Sequence, residues 1–380
     1  MAAVLTSDVL IIGGGIVGAA LGVGMAGRGA SIRLLDGADT DLRAARANFG
    51  LIWVQSKGHS MPAYGRWTRR SADLWPDFAA DLRARTGINI KLRQTGGLSF
   101  CLGEAALRNR RDAISRLHNQ IEPWSATINV LNRNELQRLL PGITLGPDVS
   151  GASFCAEDGE ADPLMLLRAL HVSMRAMGVD ICTGAEASRI SHSNGIFRVE
   201  AGRAAYEARR LILAAGHGSL ALGKMVGLTV PVHAERGQIL VTERLDPFLP
   251  FAGDTIRQTA DGTVMIGATH EDVGFDLGTT GAATASLARH ATDIFPDLAS
   301  AKLVRAWAGL RVMTPDGCPL YAESESHPGA ALITCHSGVT LAAIHAADLA
   351  PALLDGPLGR NYAAFGPQRF GGGKDVSQAA

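Results

Sequence analysis

The chain has 380 residues, with 36 Lys plus Arg against 36 Asp plus Glu, 47% hydrophobic residues and 45 glycines. Zero net charge removes the electrostatic case for a nucleic-acid or anionic-membrane partner, and the hydrophobic content suits a large core in two domains or one large α/β unit. The five cysteines are scattered without a C-x-x-C pair, which excludes the usual iron–sulfur and zinc spacings and fits a reducing, cytoplasmic setting.

The N-terminus opens with "DVLIIGGGIVGAALGVGMAG", uncharged from Val9 to Gly27. About 20 apolar residues can cross a bilayer, but seven of these nineteen are glycine, and each weakens a helix by up to ~1 kcal/mol relative to alanine. A secretory leader would also need basic residues ahead of the apolar run, where only Asp8 stands. The order is more specific. Val9 to Ile12 read as a strand buried on both faces. Gly13, Gly15 and Gly18 follow in G-x-G-x-x-G spacing, "SIRLL" reads as a second strand, and Asp36 stands 21 residues after Gly15. Strand, glycine turn, helix, strand and acid form the dinucleotide-binding fingerprint. Gly13 allows the sharp turn, Gly15 admits a pyrophosphate to the backbone, and the helix start at Ile16 and Val17 offers N–H groups to it. Asp36 would accept hydrogen bonds from the adenosine ribose.

Residues 40–70 carry few regular signals, and 67–86 read as a helix. "RQTGGLSFCLG" reads as a strand entered by a turn. Residues 104–120 and 133–140 read as helices, the second closed by Pro141–Gly142. "DPLMLLRALHVSMRAMG" predicts a helix capped by Asp162, with Pro163 at its first position and Gly178 beyond its end. "VDICTG", "FRVEA", 237–243 and 263–269 read as strands. "ARRLILAAGHGS" is a buried strand running into Ala215–Gly216, where small residues let backbone lie against a bound group. "AALITCHSGVTLAAIHAADLAPALL" predicts a strand, a small-residue turn at His336–Gly338 and a long apolar helix.

In this order the stretches "LILAAG", "ERGQILVTE", "MIGATHEDVGFD", "WAGLRVMTPDGCPL" and "CHSGVTLA", with the N-terminal fingerprint, resemble the D-amino-acid oxidase superfamily of FAD-dependent oxidoreductases over nearly the whole chain. That family includes glycine oxidase and sarcosine oxidase. The resemblance implies an α/β protein: a discontinuous Rossmann-like FAD-binding domain (residues 1–85, 150–225 and 326–366) and a substrate domain built on a large mixed sheet (86–149 and 226–325). A flexible tail is expected at 367–380.

"ANFGLIWVQSKG" and "CHSGVTLAAIHAADL" are similar to the β subunits of opine (octopine/nopaline) oxidases and of D-hydroxyproline dehydrogenases. In such complexes β carries FAD and oxidises the amine C–N bond, with hydride passing to flavin N5 and electrons to a partner. An α subunit with its own FAD, an FMN between subunits and a [2Fe–2S] centre outside β complete the pattern. Readings left open are a D-hydroxyproline dehydrogenase β subunit, a glycine-type oxidase, a hydrogen-cyanide synthase component and a non-catalytic electron-transfer subunit.

The resemblance carries the cofactor contacts to Gly13, Gly15, Ile16, Val17, Asp36, Gly37 and Ala45. It also carries them to Asn48, Phe49, Gly50 and Leu51 beside the flavin ring, Ala187 near the adenosine, Ala215 and Gly216, and Gly338, Val339 and Thr340 at the pyrimidine end. Arg311 matches the arginine that clamps the substrate carboxylate and borders the flavin. Cys318 lies after the "TPD" turn and not before it, so FAD is expected to be non-covalent. Met265 replaces the oxygen-activating lysine of sarcosine oxidase, which points to a partner as electron acceptor.

An arginine suits the clamp because its planar fork binds a carboxylate through two hydrogen bonds. His270 is a candidate substrate contact and Trp53 a candidate pocket wall. Gln55, Lys57 and His59 read as surface or supporting residues. The histidines show no metal-ligand spacing, so no metal is expected.

Overall fold

The structure, a computed structural model, describes residues 4–37, 43–120 and 127–371. Val4–Ile12 lies at the centre of an eight-stranded sheet. It pairs in parallel with Ala204–Leu213 on one side and Ile32–Leu35 on the other. Asp180–Cys182 extends one edge, while Ala330–Thr334 and Leu320–Glu323 extend the other. Helices cover the sheet, so Val9, Leu10 and Ile11 are fully buried, which is why an unbroken apolar run and not an alternating one encodes this strand.

The register sets up the site. Ile12 stands opposite both Leu35 and Leu213, and Leu213 opposite Leu332. Gly13, Asp36 and Ala214 therefore leave the sheet at one level, at the carboxyl ends of parallel strands, where open α/β sheets bind their ligands.

The helix Ile16–Ala26 follows the glycine turn and packs on the helix Pro163–Ala176 and on the C-terminal helical run. Asp162 caps Pro163–Ala176 as expected, its carboxylate accepting the N–H groups of Leu164 and Met165. The apolar C-terminal helix is irregular. Ala342–Ile344 is α-helical, His345–Leu349 widens into a π-turn, and Ala350–Asp355 returns to α. Buried His345 sits at the widening and meets the Tyr321 hydroxyl at 2.7 Å. The helix expected at 67–86 begins earlier, at Pro62, because proline is well placed in a first turn.

The anticipated large mixed sheet is divided into two four-stranded sheets. One is antiparallel, with His233–Arg244 between Thr263–Gly267 and Leu303–Met313, and Ile256–Gln258 outside Thr263–Gly267. The other is mixed: Gly97–Leu102 runs antiparallel to Val149–Cys155 and parallel to Ala252–Gly253. A tight corner between Gly253 and Ile256 carries the chain from one sheet to the other. The expected tail starts with structure. Pro367–Phe370 is a 3-10 turn, held where Arg369 Nε donates to Asp316 at 2.7 Å. Residues 372–380 of that expectation lie outside the described residues.

Candidate cofactor and substrate site

The glycine turn forms one wall. Gly13 has φ +113°, and a Cβ there would stand 2.3 Å from the Ala214 carbonyl oxygen, so the first glycine is required by the strand-end loop Ala214–Gly216 pressed against it. Gly15 is different: a Cβ there would meet only the Ala45 methyl, 3.7 Å away. The helix Ile16–Ala26 has no side-chain cap and no acid in its first turn. Its first N–H groups therefore point, uncapped, into the space beside Gly15, and their partial positive charge suits an anion. An open slot at the middle glycine beside an uncapped helix start fits a pyrophosphate.

Asp36 lies beside this slot and is not idle. Its Oδ1 accepts from Arg43 at 2.8 Å, and its Oδ2 faces Gly14. Gly37 packs on Glu186, and half-buried Ala187 starts the neighbouring strand Ala187–Ser193. At the other end of the slot, Gly338 faces Val17 and Ile16, and Val339 is buried.

The segment expected beside the flavin ring is held from three directions. Asn48 Oδ1 accepts the Gly50 N–H at 2.7 Å, and Gly50, at φ +88°, leaves no room for a Cβ against the Ala161 carbonyl. Arg257 Nε donates to the Phe49 carbonyl at 2.6 Å, and its guanidinium is paired with buried Glu160 at 3.3 Å. The Thr340 hydroxyl donates to the Leu51 carbonyl at 3.0 Å and accepts the Trp53 N–H at 3.2 Å. Thr340 thus spends its side chain stitching this segment to the C-terminal helix, and its carbonyl accepts from the Ser71 hydroxyl at 2.6 Å and the Trp75 indole at 3.0 Å, which leaves its N–H as the group that can face a cofactor.

Arg311 and His270 come together, through a residue the sequence reading missed. Glu235 Oε1 accepts from Arg311 NH1 at 2.8 Å and lies 2.9 Å from His270 Nδ1. The strand register Glu235↔Arg311 places this pair side by side. Arg311 NH1 also donates to the Thr269 carbonyl at 2.9 Å. Both bonds use one nitrogen, so among the described residues Nε and NH2 retain donors for a ligand. Burial lowers the Arg311 pKa, and Glu235 opposes that shift. The buried ring of Trp53 packs against Gly97, whose Cβ would stand 2.5 Å from it, and so wedges the segment against the sheet.

Of the residues read as surface or supporting, Gln55 and Lys57 take supporting positions inside the fold. Gln55 is fully buried. Its Nε2 donates to Asp158 Oδ2 at 2.7 Å, and its Oε1 accepts from Arg110 at 2.7 Å. Asp158 also accepts the Val54 N–H at 2.5 Å, and burial raises its carboxyl pKa to about 7. Lys57 Nζ lies 3.0 Å from His336 Nε2, which lies 3.1 Å from the Ser337 hydroxyl; that hydroxyl meets the Tyr64 phenol at 2.6 Å. Desolvation lowers the Lys57 ammonium to about 8 and holds His336 well below the ordinary imidazole range, with Lys57 and Arg311 adding to the His336 shift. Lys57, His336 and Arg311 all retain partial exposure, so they border interior space and are not sealed in a core. Gln55 and Lys57 stand at alternate positions after the apolar run Leu51 to Val54, but their burial depends on the distant Asp158, Arg110 and His336.

Surface grooves occur elsewhere, at Thr6, Asp8 and Ser31 and at Ile143, Phe248 and Phe295; neither touches the glycine turn. The cysteines are free thiols, and Cys318 is buried beside Ser60.

Comparison with known proteins agrees with this geometry. Two opine oxidase B subunits are similar to the chain over nearly its full length. That of Rhizobium meliloti is 40% identical over 372 residues, covering 98% of this chain and 99% of that protein. That of Agrobacterium tumefaciens (strain Ach5) is 39% identical, covering 96% and 97%. The crystal structure of glycine oxidase from Geobacillus kaustophilus superposes with a TM-score of 0.86 at 24% identity, covering 95% of this chain and 98% of that one, which shows a shared fold. The model of the FAD dependent oxidoreductase (DAO) family matches residues 8–351. The chain therefore belongs to the DAO family of FAD-dependent oxidoreductases.

Proposed function

We propose that the chain is the amine-oxidising subunit of a complex, removing two electrons from the C–N bond of an opine-type N-substituted amino acid and passing them to a partner. The observation that carries the reading is Arg311. Its NH1 is fixed by Glu235 and the Thr269 carbonyl while Nε and NH2 remain available, and it stands on a strand that packs against the flavin-side segment through Gly309 and Ala47. Nearly full-length likeness to two opine oxidase B subunits supports the substrate class.

Bound FAD supplies the two-electron sink. The residues assigned to hold it non-covalently are Gly13, Gly15, Ile16, Val17, Asp36, Gly37, Ala45, Asn48, Phe49, Gly50, Leu51, Ala187, Ala215, Gly216, Gly338, Val339 and the Thr340 N–H. Arg311 binds the substrate carboxylate in its two-pronged geometry and so orients the amine. Glu235 keeps the guanidinium from swinging away, and His270 flanks the pair. Arg257 and Thr340 position the Asn48–Leu51 segment and do not meet substrate. The onward path is assigned to an α subunit with its own FAD, an FMN between subunits and a [2Fe–2S] centre in the partner.

The test is anaerobic addition of octopine, nopaline, hydroxyproline isomers or glycine to the FAD-loaded protein, followed by absorbance at about 450 nm, where oxidised flavin absorbs. Bleaching by opines supports the reading. Bleaching by hydroxyproline or glycine alone reassigns the substrate, and bleaching by none leaves an electron-transfer role. FAD should leave the polypeptide on denaturation.

A further inference from the structure

We propose that Lys57, oriented by His336, is a second anion anchor in the substrate pocket and takes the far carboxylate of an amine that carries two. This rests on the opine-type reading above and names the residue that selects dicarboxylates within it.

The charge inventory leads to it. Arg311 already faces Glu235, so that pair is close to neutral. Lys57 has no such partner: among the described residues its amine bonds to an imidazole, at 3.0 Å. A protonated Nζ donates to Nε2, which puts the His336 proton on Nδ1. Around Lys57 stand Cys318, Cys335, Asp158 and Arg311, with the Tyr64 ring 5.7 Å from Nζ. Asp158 spends both oxygens on the Val54 N–H and Gln55, and burial disfavours its charge. The pocket thus holds one uncompensated positive charge before a ligand enters. An ammonium in a desolvated site is costly unless an anion completes it. A tether to His336 alone would be made at lower cost by a neutral donor.

An amine with one carboxylate enters as a zwitterion of zero net charge and leaves the Lys57 charge uncompensated. A protonated secondary amine flanked by two carboxylates carries one net negative charge, which balances it. The turn after the Arg311 strand brings Cys318 to within 3.8 Å of Ser60, three residues past Lys57, so the Lys57 segment lies beside the end of that strand and the two cations are within electrostatic reach of each other. A lysine suits the second position because its compact head accepts a carboxylate of less rigid orientation than an arginine fork demands.

The test uses FAD-loaded protein and two unreactive probes, read by perturbation of the flavin spectrum. Thiodiacetate has sulfur in place of the amine and two carboxylates; (methylthio)acetate keeps one. In wild type, thiodiacetate should bind more tightly. In Lys57→Met the ratio of the two affinities should fall about 30-fold or more, the scale expected when one partner of a desolvated charge pair is removed. Lys57→Arg should recover part of it. An unchanged ratio overturns the proposal. Equal weakening of both probes, or loss of FAD, also overturns it, because the charge would then serve the shared carboxylate or the cofactor.

Should Lys57→Met not fold, wild type still decides. The affinity ratio should fall as pH rises through about 8, where Lys57 loses its proton. His336 is neutral over that window, Arg311 keeps its charge throughout, and burial pushes the Cys318 and Cys335 thiols and the Tyr64 phenol upward, out of it. Asp158, which burial holds at about 7, is removed from the profile by repeating it in Asp158→Asn, where the fall should persist. A flat ratio overturns the assignment. Failure of the substrate reading is separable: wild type would then bind thiodiacetate in a Lys57-dependent way yet resist reduction by opines.

Discussion

A Cβ at Gly15 would meet only the Ala45 methyl within the protein, so the fold should survive a valine there while the slot for a pyrophosphate is filled. Gly15→Val is expected to purify with near-normal thermal stability and with little or no FAD, measured as the ratio of flavin to protein absorbance. A folded variant with full flavin content would move the cofactor away from this turn. Arg311 carries the second expectation at this scale. Removing it leaves the substrate carboxylate unpaired and Glu235 without its cation, and breaking such a pair costs ~3–5 kcal/mol. Arg311→Ala should lower kcat/KM by roughly two to four orders of magnitude at ~1.4 kcal/mol per decade. Arg311→Lys should restore only part, for want of the fork. Flavin content should hold in both; its loss would show that Arg311 and Glu235 serve the fold.

Among the elements, the short run from Leu51 to Lys57 is the one whose position depends most on others. Thr340 holds its start and Asp158 its middle, through the Val54 N–H and Gln55. The Asp158 carboxyl is raised to about 7, chiefly by burial, so the folded protein keeps a proton there that the unfolded chain releases near pH 4. Its contribution to stability is therefore fully present below that value and is lost as pH rises through about 7. Asp158→Asn cannot titrate and gives up an acceptor to the Gln55 amide. It should be less stable than wild type at pH 5, by about 1–3 kcal/mol for a buried partner left unpaired, with the gap narrowing by pH 8. Denaturant titrations across that range measure it; a gap that widens with pH would mean the carboxylate is ionised in the fold. Lys57, whose charge bears on the same site, is held at about 8 by desolvation and is common to both proteins.

For the molecule as a whole, the prediction concerns where electrons go. Isolated and FAD-loaded, the chain should be reduced by substrate within a turnover yet re-oxidise slowly in air, and co-purification with an α subunit should raise steady-state dye reduction at least tenfold if electrons leave through that partner. Full turnover on oxygen by the lone chain would make it a simple oxidase. Exposed Val304 and Phe275, at 62% and 64%, lie on an outer strand and on the loop past His270.

The cofactor half of this protein was legible from residue order, because local chemistry dictates it: a strand buried on both faces must be an unbroken apolar run, Gly13 must adopt a positive φ, and Asp36 must close the next strand. The capped helix at Asp162 was legible for the same reason. What only the tertiary structure decided is the set of contacts that depend on partners far along the chain. Glu235 became the brace of Arg311 through strand register 76 residues apart. Trp53 is buried because Gly97 makes room for its ring. Lys57, which reads as a surface or supporting residue, became a supporting one because the turn at His336, 279 residues away, folds back over it. Periodicity and motif spacing encode interactions within a few turns or strands; burial and charge pairing across a sheet depend on which surfaces meet, and that is set by the packing of the whole chain.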